Sequence, residues 1–209
     1  MACRPGIGGE GWGPPAAGGG RRALFLDRDG VVNVERGYVH RIPDFEFTPG
    51  LFELCRAAAD RGYLVAIVTN QAGIARGLYG EADFARLTAW MLDQFVARGL
   101  PAPKVYYCPH HPAAGVEDLL QDCPSRKPNP GMILAARDDG ELDLGRSILV
   151  GDKARDLEAG RRAGVGVLAL LGEAVRDGEL PPGSLVVGTL LETRRLLTDV
   201  GAEPRRPRA

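Results

Sequence analysis

The chain has 209 residues, of which 44% are hydrophobic and 25% are charged, so it can bury the core of one ordinary domain. The formal net charge of −1 gives no general attraction to nucleic acid or anionic membranes, and no apolar run approaches the roughly 18 residues of a membrane span. Because the chain also lacks a signal-peptide pattern and a disulfide framework of cysteines, we expect a soluble, cytoplasmic, monomeric protein that binds neither nucleic acid nor membrane.

Both ends of the chain predict tails. Residues 1–22 contain eight Gly and three Pro without a periodic apolar pattern, which predicts a disordered segment. Residues 201–209 are rich in Pro and Arg and predict a frayed basic end. We therefore expect a single domain over residues 23–200.

Short apolar runs alternate with helical patterns between these tails. The runs cover residues 23–26, 64–68, 104–107, 147–150 and 166–170, with an edge strand at 184–187, and the helical patterns cover 49–61, 81–98, 130–138 and 154–163. Runs that are apolar on both faces suit a parallel sheet covered by helices on both sides. The alternation predicts an α/β fold, a doubly wound three-layer parallel sheet of the Rossmann-like type, whose first helix is capped by Thr48 before Pro49.

The first predicted strand ends in Asp27-Arg28-Asp29-Gly30. Residues two apart on an extended segment share a face, so both carboxylates can face one ligand, and Gly30 allows a sharp turn. A similar pattern occurs in calcium loops, but those loops need Gly at position six and Glu at position twelve, which are absent here. Since ligands of doubly wound sheets bind at the carboxyl ends of the strands, the two carboxylates indicate a functional site.

Polar residues follow the other predicted strands as well. They are Thr69-Asn70-Gln71 after the second strand, Cys108 after the third, and Gly151-Asp152-Lys153 with Asp156 after the fourth. Lys127 lies in the loop Ser125-Arg126-Lys127-Pro128. Only three of the 26 basic residues are Lys, so Lys127 and Lys153 are candidates for positions that require a compact ammonium charge.

This set of residues suits the hydrolysis of a phosphate monoester. The substrate is a dianion, and a carboxylate nucleophile can approach it only when cations such as Mg²⁺ and lysine lie between them. A second carboxyl group can protonate the leaving oxygen, and a covalent aspartyl-phosphate divides one difficult displacement into two. The residues therefore predict a Mg²⁺-dependent phosphatase.

The order of these motifs resembles that of the haloacid dehalogenase superfamily over about residues 23–171. The resemblance implies that Asp27 is the nucleophile and Asp29 the general acid/base. It implies that Thr69 and Lys127 hold the phosphoryl group. It also implies that Mg²⁺ is bound by the Asp27 carboxylate, the Asp29 backbone carbonyl and Asp152.

A narrower resemblance is to the subfamily of heptose-bisphosphate phosphatases and histidinol-phosphatases. The matching segments are 27–33, 37–38, 69–77, 108–112, 126–128 and 151–153. The subfamily lacks a large cap domain, and the resemblance implies removal of the 7-phosphate of a heptose 1,7-bisphosphate in nucleotide-activated heptose synthesis; histidinol phosphate or another small monoester is the alternative substrate. The residues expected to bind the substrate are Glu35, Arg36, Gly37, Tyr38, Asn70, Gln71, Ala72, Arg126 and Lys153.

The same subfamily resemblance implies a zinc loop over residues 108–125 with the pattern Cys-x-His…Cys-x-Cys. Cys108, His110 and Cys123 occupy the first three ligand positions, but Ser125 stands at the fourth. A serine hydroxyl is a poor ligand for structural Zn²⁺. The sequence leaves three alternatives open: His111 completes the set, a water molecule does, or the loop holds no metal.

Two other functions fit the sequence less well. A degenerate relative that acts only as a binding module would have lost the nucleophile or the acid, yet Asp27 and Asp29 are both present. A nucleic-acid 3′-phosphatase would be expected to carry a basic groove with interleaved aromatic residues, and the balanced charge argues against one. The sequence therefore favours an enzyme that acts on a small molecule.

Overall fold

The computed structural model describes residues 20–172 and 178–197, which form a six-stranded parallel sheet with helices on both faces. The strands are β1 (Arg22–Leu26), β2 (Tyr63–Asn70), β3 (Lys104–Cys108), β4 (Ile148–Gly151), β5 (Val167–Leu171) and β6 (Leu185–Val187). Their order across the sheet is β3-β2-β1-β4-β5-β6. Because the chain moves outward from β1 to β3 and then crosses to β4, the strand order reverses between β1 and β4, where ligands of such sheets bind. The predicted doubly wound α/β fold is confirmed.

Six helices cover the described part of the sheet. They are α1 (Leu51–Asp60), α2 (Ala72–Ala75), α3 (Glu81–Val96), α4 (Gly131–Gly140), α5 (Ala154–Ala163) and α6 (Leu190–Thr193), with short 3-10 turns at Ile42–Asp44, Glu117–Leu119, Leu144–Arg146 and Arg194–Leu196. Side chains of α1, α3 and α6 enter one core layer, and those of α4 and α5 enter the other. Within the described ranges, no helix has the length and apolar character needed to span a membrane.

The central strand β1 shows why its sequence is apolar throughout. Leu24 and Leu26 enter the core layer formed with α1 and α3, whereas Ala23 and Phe25 enter the layer formed with α4 and α5. All four side chains are fully buried, as expected for a parallel strand with helices on both faces. The connections from β1 to α1 and from β3 to α4 are loops with single 3-10 turns, so the described residues contain no separate cap domain.

The amino-terminal boundary of the fold lies earlier than predicted. β1 begins at Arg22, and Arg21 forms an isolated bridge with Leu142, so the predicted tail of residues 1–22 includes two residues that pair with the fold. The remainder of that tail up to residue 19, and the predicted basic end at 201–209, lie outside the described residues.

The predicted cap of the first helix is wrong. α1 has Gly50 rather than Thr48 at its N-cap, and Gly50 has a φ of 84°, a left-handed conformation that glycine adopts without strain. A Cβ at Gly50 would lie 2.9 Å from Cγ of Leu191, so the position also requires a small residue. α2 was not predicted, because four residues are too short to show a helical period.

Candidate active site

The carboxyl ends of β1 and β2 place Asp27 and Lys127 in direct contact. The backbone N–H of Asp27 donates to the carbonyl of Val150 at 3.0 Å, which extends the β1–β4 pairing to the carboxylate-bearing residue. Lys127 Nζ lies 2.7 Å from Oδ1 of Asp27 and 2.8 Å from Oδ1 of Asp156, and it donates to the carbonyl of Val68 at 2.8 Å. The lysine side chain is 2% exposed, so its charge is stabilised by these partners and not by water.

The loop that carries Lys127 is fixed to the end of β2 by Asn70. The Asn70 side-chain amide donates to the carbonyl of Lys127 at 3.0 Å, and its oxygen accepts from the backbone N–H of Lys127 at 3.0 Å. The peptide bond between Lys127 and Pro128 is cis. One amide therefore satisfies both backbone groups of the lysine, so Asn70 positions Lys127 as well as lining the pocket.

Three carboxylates crowd the same point. Oxygens of Asp27, Asp152 and Asp156 lie within 4.8 Å of one another. Burial and the neighbouring Asp156 and Asp152 raise the pKa of Asp27 from 3.8 to about 7, although Lys127 opposes the shift. Burial also raises the pKa of Asp152, with Asp156 adding to the effect and Lys153 opposing it. Carboxylate oxygens are the donors that Mg²⁺ prefers, so the clustered residues fit this ion.

Close packing of backbone against carboxylate requires glycine here. Gly30 has a φ of 97°, and a Cβ at this residue would lie 2.3 Å from Oδ2 of Asp152. A Cβ at Gly151 would lie 2.3 Å from Cβ of Asp156. Larger residues at either position would displace the carboxylates from their cluster.

Two lysines balance the carboxylates. Burial lowers the pKa of Lys127, but Asp156 and Asp27 raise it by more, and the net shift is upward. Lys153 Nζ lies 3.0 Å from Oδ2 of Asp152 and 3.4 Å from Oε2 of Glu35. Burial lowers the pKa of Lys153 as well, and Asp152 again reverses the shift. Both ammonium groups therefore remain charged where an incoming phosphate dianion would need them.

Asp29 is held by donors on two sides. Arg28, which is 1% exposed, donates to both carboxylate oxygens at 2.8 and 2.9 Å and to the carbonyl of Val39 at 2.7 Å. Asn33 Nδ2 donates to Oδ1 of Asp29 at 3.2 Å, and Gln71 Nε2 donates to Oδ2 at 3.1 Å. The carboxylate therefore has a fixed orientation next to the Asp27 site. The position of Arg28 inside the motif gave no sign of this role.

These groups open into a pocket of about 390 Å³. Of the residues predicted to act on or bind the substrate, those that line it are Asp27, Asp29, Glu35, Gly37, Tyr38, Thr69, Asn70, Gln71, Ala72, Arg126, Lys127 and Lys153. Arg36 does not line it, because its guanidinium pairs with Glu46 beside a separate surface depression. Five lining residues were not predicted to act on or bind the substrate: Arg76, Tyr79, His111, Arg155 and Asp156.

Some of these omissions had a signal in the sequence. Arg76 lies within the matching segment 69–77, and Asp156 completes the Gly-Asp-x-x-x-Asp pattern that starts at Gly151. Tyr79 and Arg155 follow no recognisable pattern, and only the folded chain brings them to the pocket.

The predicted zinc ligands come together beside this pocket. Ligand atoms of Cys108, His110 and Cys123 lie within 4.8 Å of one another, and Sγ of Cys108 is 3.7 Å from Nδ1 of His110. His111 does not join the group; its Nδ1 accepts from the backbone N–H of Ala113 at 3.1 Å, so the structure does not favour the alternative in which it completes the set. Zinc binding stays a prediction, and metal analysis of protein purified without a chelator tests it.

Comparison with known proteins identifies the relatives of this chain. A family described as HAD-hydrolase-like matches residues 124–193. The D-glycero-alpha-D-manno-heptose-1,7-bisphosphate 7-phosphatase of Burkholderia mallei is 49% identical over 182 residues, which are 87% of this chain and 96% of the relative. The D-glycero-beta-D-manno-heptose-1,7-bisphosphate 7-phosphatase of Vibrio cholerae is 49% identical over 149 residues, 71% of this chain and 80% of the relative.

A solved structure supports the same relationship. The D,D-heptose 1,7-bisphosphate phosphatase of B. bronchiseptica, complexed with magnesium and phosphate, is 30% identical to this chain and superposes with a TM-score of 0.72. The match covers 84% of this chain and 97% of that protein. The predicted family resemblance is confirmed.

Proposed function

This chain belongs to the family of the D-glycero-D-manno-heptose-1,7-bisphosphate 7-phosphatases, within the HAD-like hydrolases, and we propose that it removes the 7-phosphate of D-glycero-D-manno-heptose 1,7-bisphosphate. Its relatives include enzymes named for the alpha and for the beta anomer at the same identity, so the proposal covers both anomers. The residues of the pocket support a reaction through a phosphorylated aspartate.

In the first half of the reaction, an Asp27 carboxylate oxygen attacks phosphorus and the bond from phosphorus to the sugar oxygen breaks. Lys127 and the Thr69 hydroxyl hold the phosphoryl oxygens, and Asp29 donates a proton to the departing sugar oxygen. The Asp27 carboxylate, the Asp29 backbone carbonyl and Asp152 would hold Mg²⁺, which would supply positive charge to the transferring phosphoryl group. The neighbouring Asp156 contributes negative charge to the same cluster.

In the second half, Asp29 acts as a base. It accepts a proton from water, whose oxygen attacks phosphorus, and the bond between phosphorus and Asp27 breaks. The products are inorganic phosphate and the regenerated Asp27 carboxylate. Because Arg28 and Gln71 hold Asp29 from two sides, the same carboxyl group is oriented for both half-reactions.

The observation that carries the choice of a bisphosphate is the cationic wall of the pocket, which we define as Arg76, Arg126 and Arg155. Burial lowers the pKa of Arg126, and the positive charges of Arg155 and Arg76 act in the same direction, while Cys108 and Cys123 oppose them. The guanidinium group of Arg126 therefore lies close enough to those of Arg76 and Arg155 to be repelled by both. A second phosphate group bound between them would relieve that repulsion.

The cationic wall argues against histidinol phosphate. That substrate carries an ammonium group at neutral pH in place of a second phosphate. Its ammonium would face guanidinium groups of the same sign in a half-buried pocket, which is unfavourable. The bisphosphate is therefore the better electrostatic match.

Arg155→Gln is expected to raise KM for heptose 1,7-bisphosphate by about tenfold, because it removes one charge-assisted contact to the second phosphate. KM for a sugar 7-monophosphate is expected to change by less than about twofold. Steady-state phosphate release with both substrates measures the difference. Arg161→Gln on the outer face of the same helix, where Arg161 pairs with Glu158, is the matched control and leaves both values unchanged. An equal rise in KM for the two substrates would contradict a second-phosphate site.

A further inference from the structure

Gln71 lies between two groups of the proposed reaction. Its side chain is 1% exposed, and its Nε2 donates to Oγ1 of Thr69 at 2.8 Å and to Oδ2 of Asp29 at 3.1 Å. An amide nitrogen carries two hydrogens, so these two bonds use its full donor capacity. Gln71 was expected to contact the substrate, but its amide nitrogen is committed to protein groups on both sides.

The orientation of that amide is set by Tyr79. The Tyr79 hydroxyl donates to Oε1 of Gln71 at 2.6 Å. If the amide turned over, its oxygen would face the Asp29 carboxylate and its nitrogen would face the phenol hydrogen. Burial raises the pKa of Tyr79 to about 12, with Arg28 opposing and Asp29 adding to the shift, so the phenol keeps its proton.

The Tyr79 ring is held in place on two sides. A Cβ at Gly73 would lie 2.1 Å from Cε1 of Tyr79, so the ring occupies the space that the absence of a side chain leaves on α2. The His40 ring stacks on the other side at 4.8 Å with an interplanar angle of 7°. His40 closely follows Gly37 and Tyr38, which line the pocket, so Tyr79 is packed between α2 and the loop that carries these residues.

We propose that Tyr79, acting through Gln71, is a positioning residue that holds the Asp29 carboxyl group in line with the leaving oxygen of the substrate. The proposal rests on the proposed role of Asp29 as general acid and adds a residue that lines the pocket but transfers neither a proton nor the phosphoryl group. Removal of the Tyr79 hydroxyl frees the Gln71 amide to turn, and Asp29 then loses one of its fixed donors.

The test compares two substrates whose leaving groups differ in their need for a proton. Tyr79→Phe keeps the ring against Gly73 and His40 and removes only the hydroxyl. Because Asp29 also acts as the base in the second half-reaction, which the two substrates share, the readout is the rate at which the leaving group is released in the first turnover. We expect this rate for heptose 1,7-bisphosphate to fall by about tenfold with KM within about twofold of the native value. We expect the rate for 4-nitrophenyl phosphate, whose leaving group departs without protonation, to fall by less than about threefold.

Two further variants make the result specific. Tyr106→Phe is the matched control, since Tyr106 is 1% exposed and its hydroxyl donates to Oδ2 of Asp139 at 2.9 Å, on the face of the sheet covered by α4. It is expected to alter thermal stability as Tyr79→Phe does and to leave both first-turnover rates unchanged. Asp29→Asn provides the reference for a lost acid, with a loss of first-turnover rate confined largely to the sugar phosphate.

The outcomes separate the two claims. If Asp29→Asn is selective and Tyr79→Phe lowers both first-turnover rates equally or neither, the positioning role of Tyr79 is wrong while the assignment of Asp29 stands. If Asp29→Asn lowers both first-turnover rates equally, the acid role of Asp29 is wrong and the proposal for Tyr79 fails with it. A selective loss in both variants supports the proposal, and the comparison can be made on any alkyl phosphate that the native enzyme hydrolyses.

Discussion

Asp27→Asn is expected to lower phosphate release by at least about 10⁴-fold, because an amide oxygen cannot form the covalent phosphoryl intermediate. The substitution changes neither the size nor the position of the side chain, so the pocket around Lys127 remains. Steady-state phosphate release from heptose 1,7-bisphosphate with Mg²⁺ measures the loss. A residual rate within about a hundredfold of the native rate would contradict the nucleophile assignment.

The same variant tests the electrostatics of the carboxylate cluster. The pKa of Asp27 is raised to about 7 in the fold, by burial and by Asp156, from 3.8 when unfolded, so the folded state holds more protons between these values. Stability that depends on this group is therefore present below pH 4 and is lost as the pH rises toward 7. In chelator, Asp27→Asn is expected to gain stability relative to the native protein between pH 4 and 7, measured by urea unfolding. A variant that loses stability relative to the native protein over that range would contradict the raised pKa of Asp27.

Lys127→Met is expected to lower the free energy of unfolding by about 3 kcal/mol and to abolish turnover. Methionine keeps the apolar stem but leaves the buried carboxylates of Asp27 and Asp156 without their ammonium partner, and breaking a buried ion pair in this way is strongly destabilising. Urea unfolding in chelator measures the stability, and added Mg²⁺ is expected to restore part of it.

Lysine 104 provides the matched control for this substitution. Lys104 is the first residue of β3, at the amino end of the strand and away from the site at the carboxyl ends, and it is partly exposed, so Lys104→Met is expected to cost less than about 1 kcal/mol and to leave turnover unchanged. Lys127→Arg is expected to be inactive as well, because a guanidinium group is larger than the space between the carboxylates of Asp27 and Asp156 and the carbonyl of Val68. Equal losses of stability in the two methionine variants would contradict the central position of Lys127.

The residues that follow the strands could be predicted from the sequence for a physical reason. Apolar runs that are buried on both faces are readable in a sequence, and the residues that follow them must lie at one edge of a parallel sheet. Asp27, Thr69 and Asp152 were located in this way. Lys127 lies in a loop, so the strand pattern did not locate it. Its role was indicated by the scarcity of lysine among the basic residues and by the order of the motifs.

Residues placed by loop packing could not be predicted in the same way. Arg28 and Tyr79 reach the site through hydrogen bonds to Asp29 and Gln71, and no periodic pattern encodes such contacts. Arg36 was expected at the substrate because the subfamily resemblance implied it. The positive φ angles of Gly37 and Tyr38, 73° and 49°, turn the chain so that these two residues line the pocket while Arg36 pairs with Glu46.

The central claim is that this enzyme removes the 7-phosphate from heptose 1,7-bisphosphate, and phosphorus NMR of the reaction measures it directly. With Mg²⁺ present, the account predicts that the signal of the 7-phosphate disappears, that the 1-phosphate signal remains, and that turnover exceeds that of histidinol phosphate by about 100-fold. Loss of the 1-phosphate first, or equal turnover of the two substrates, would contradict it.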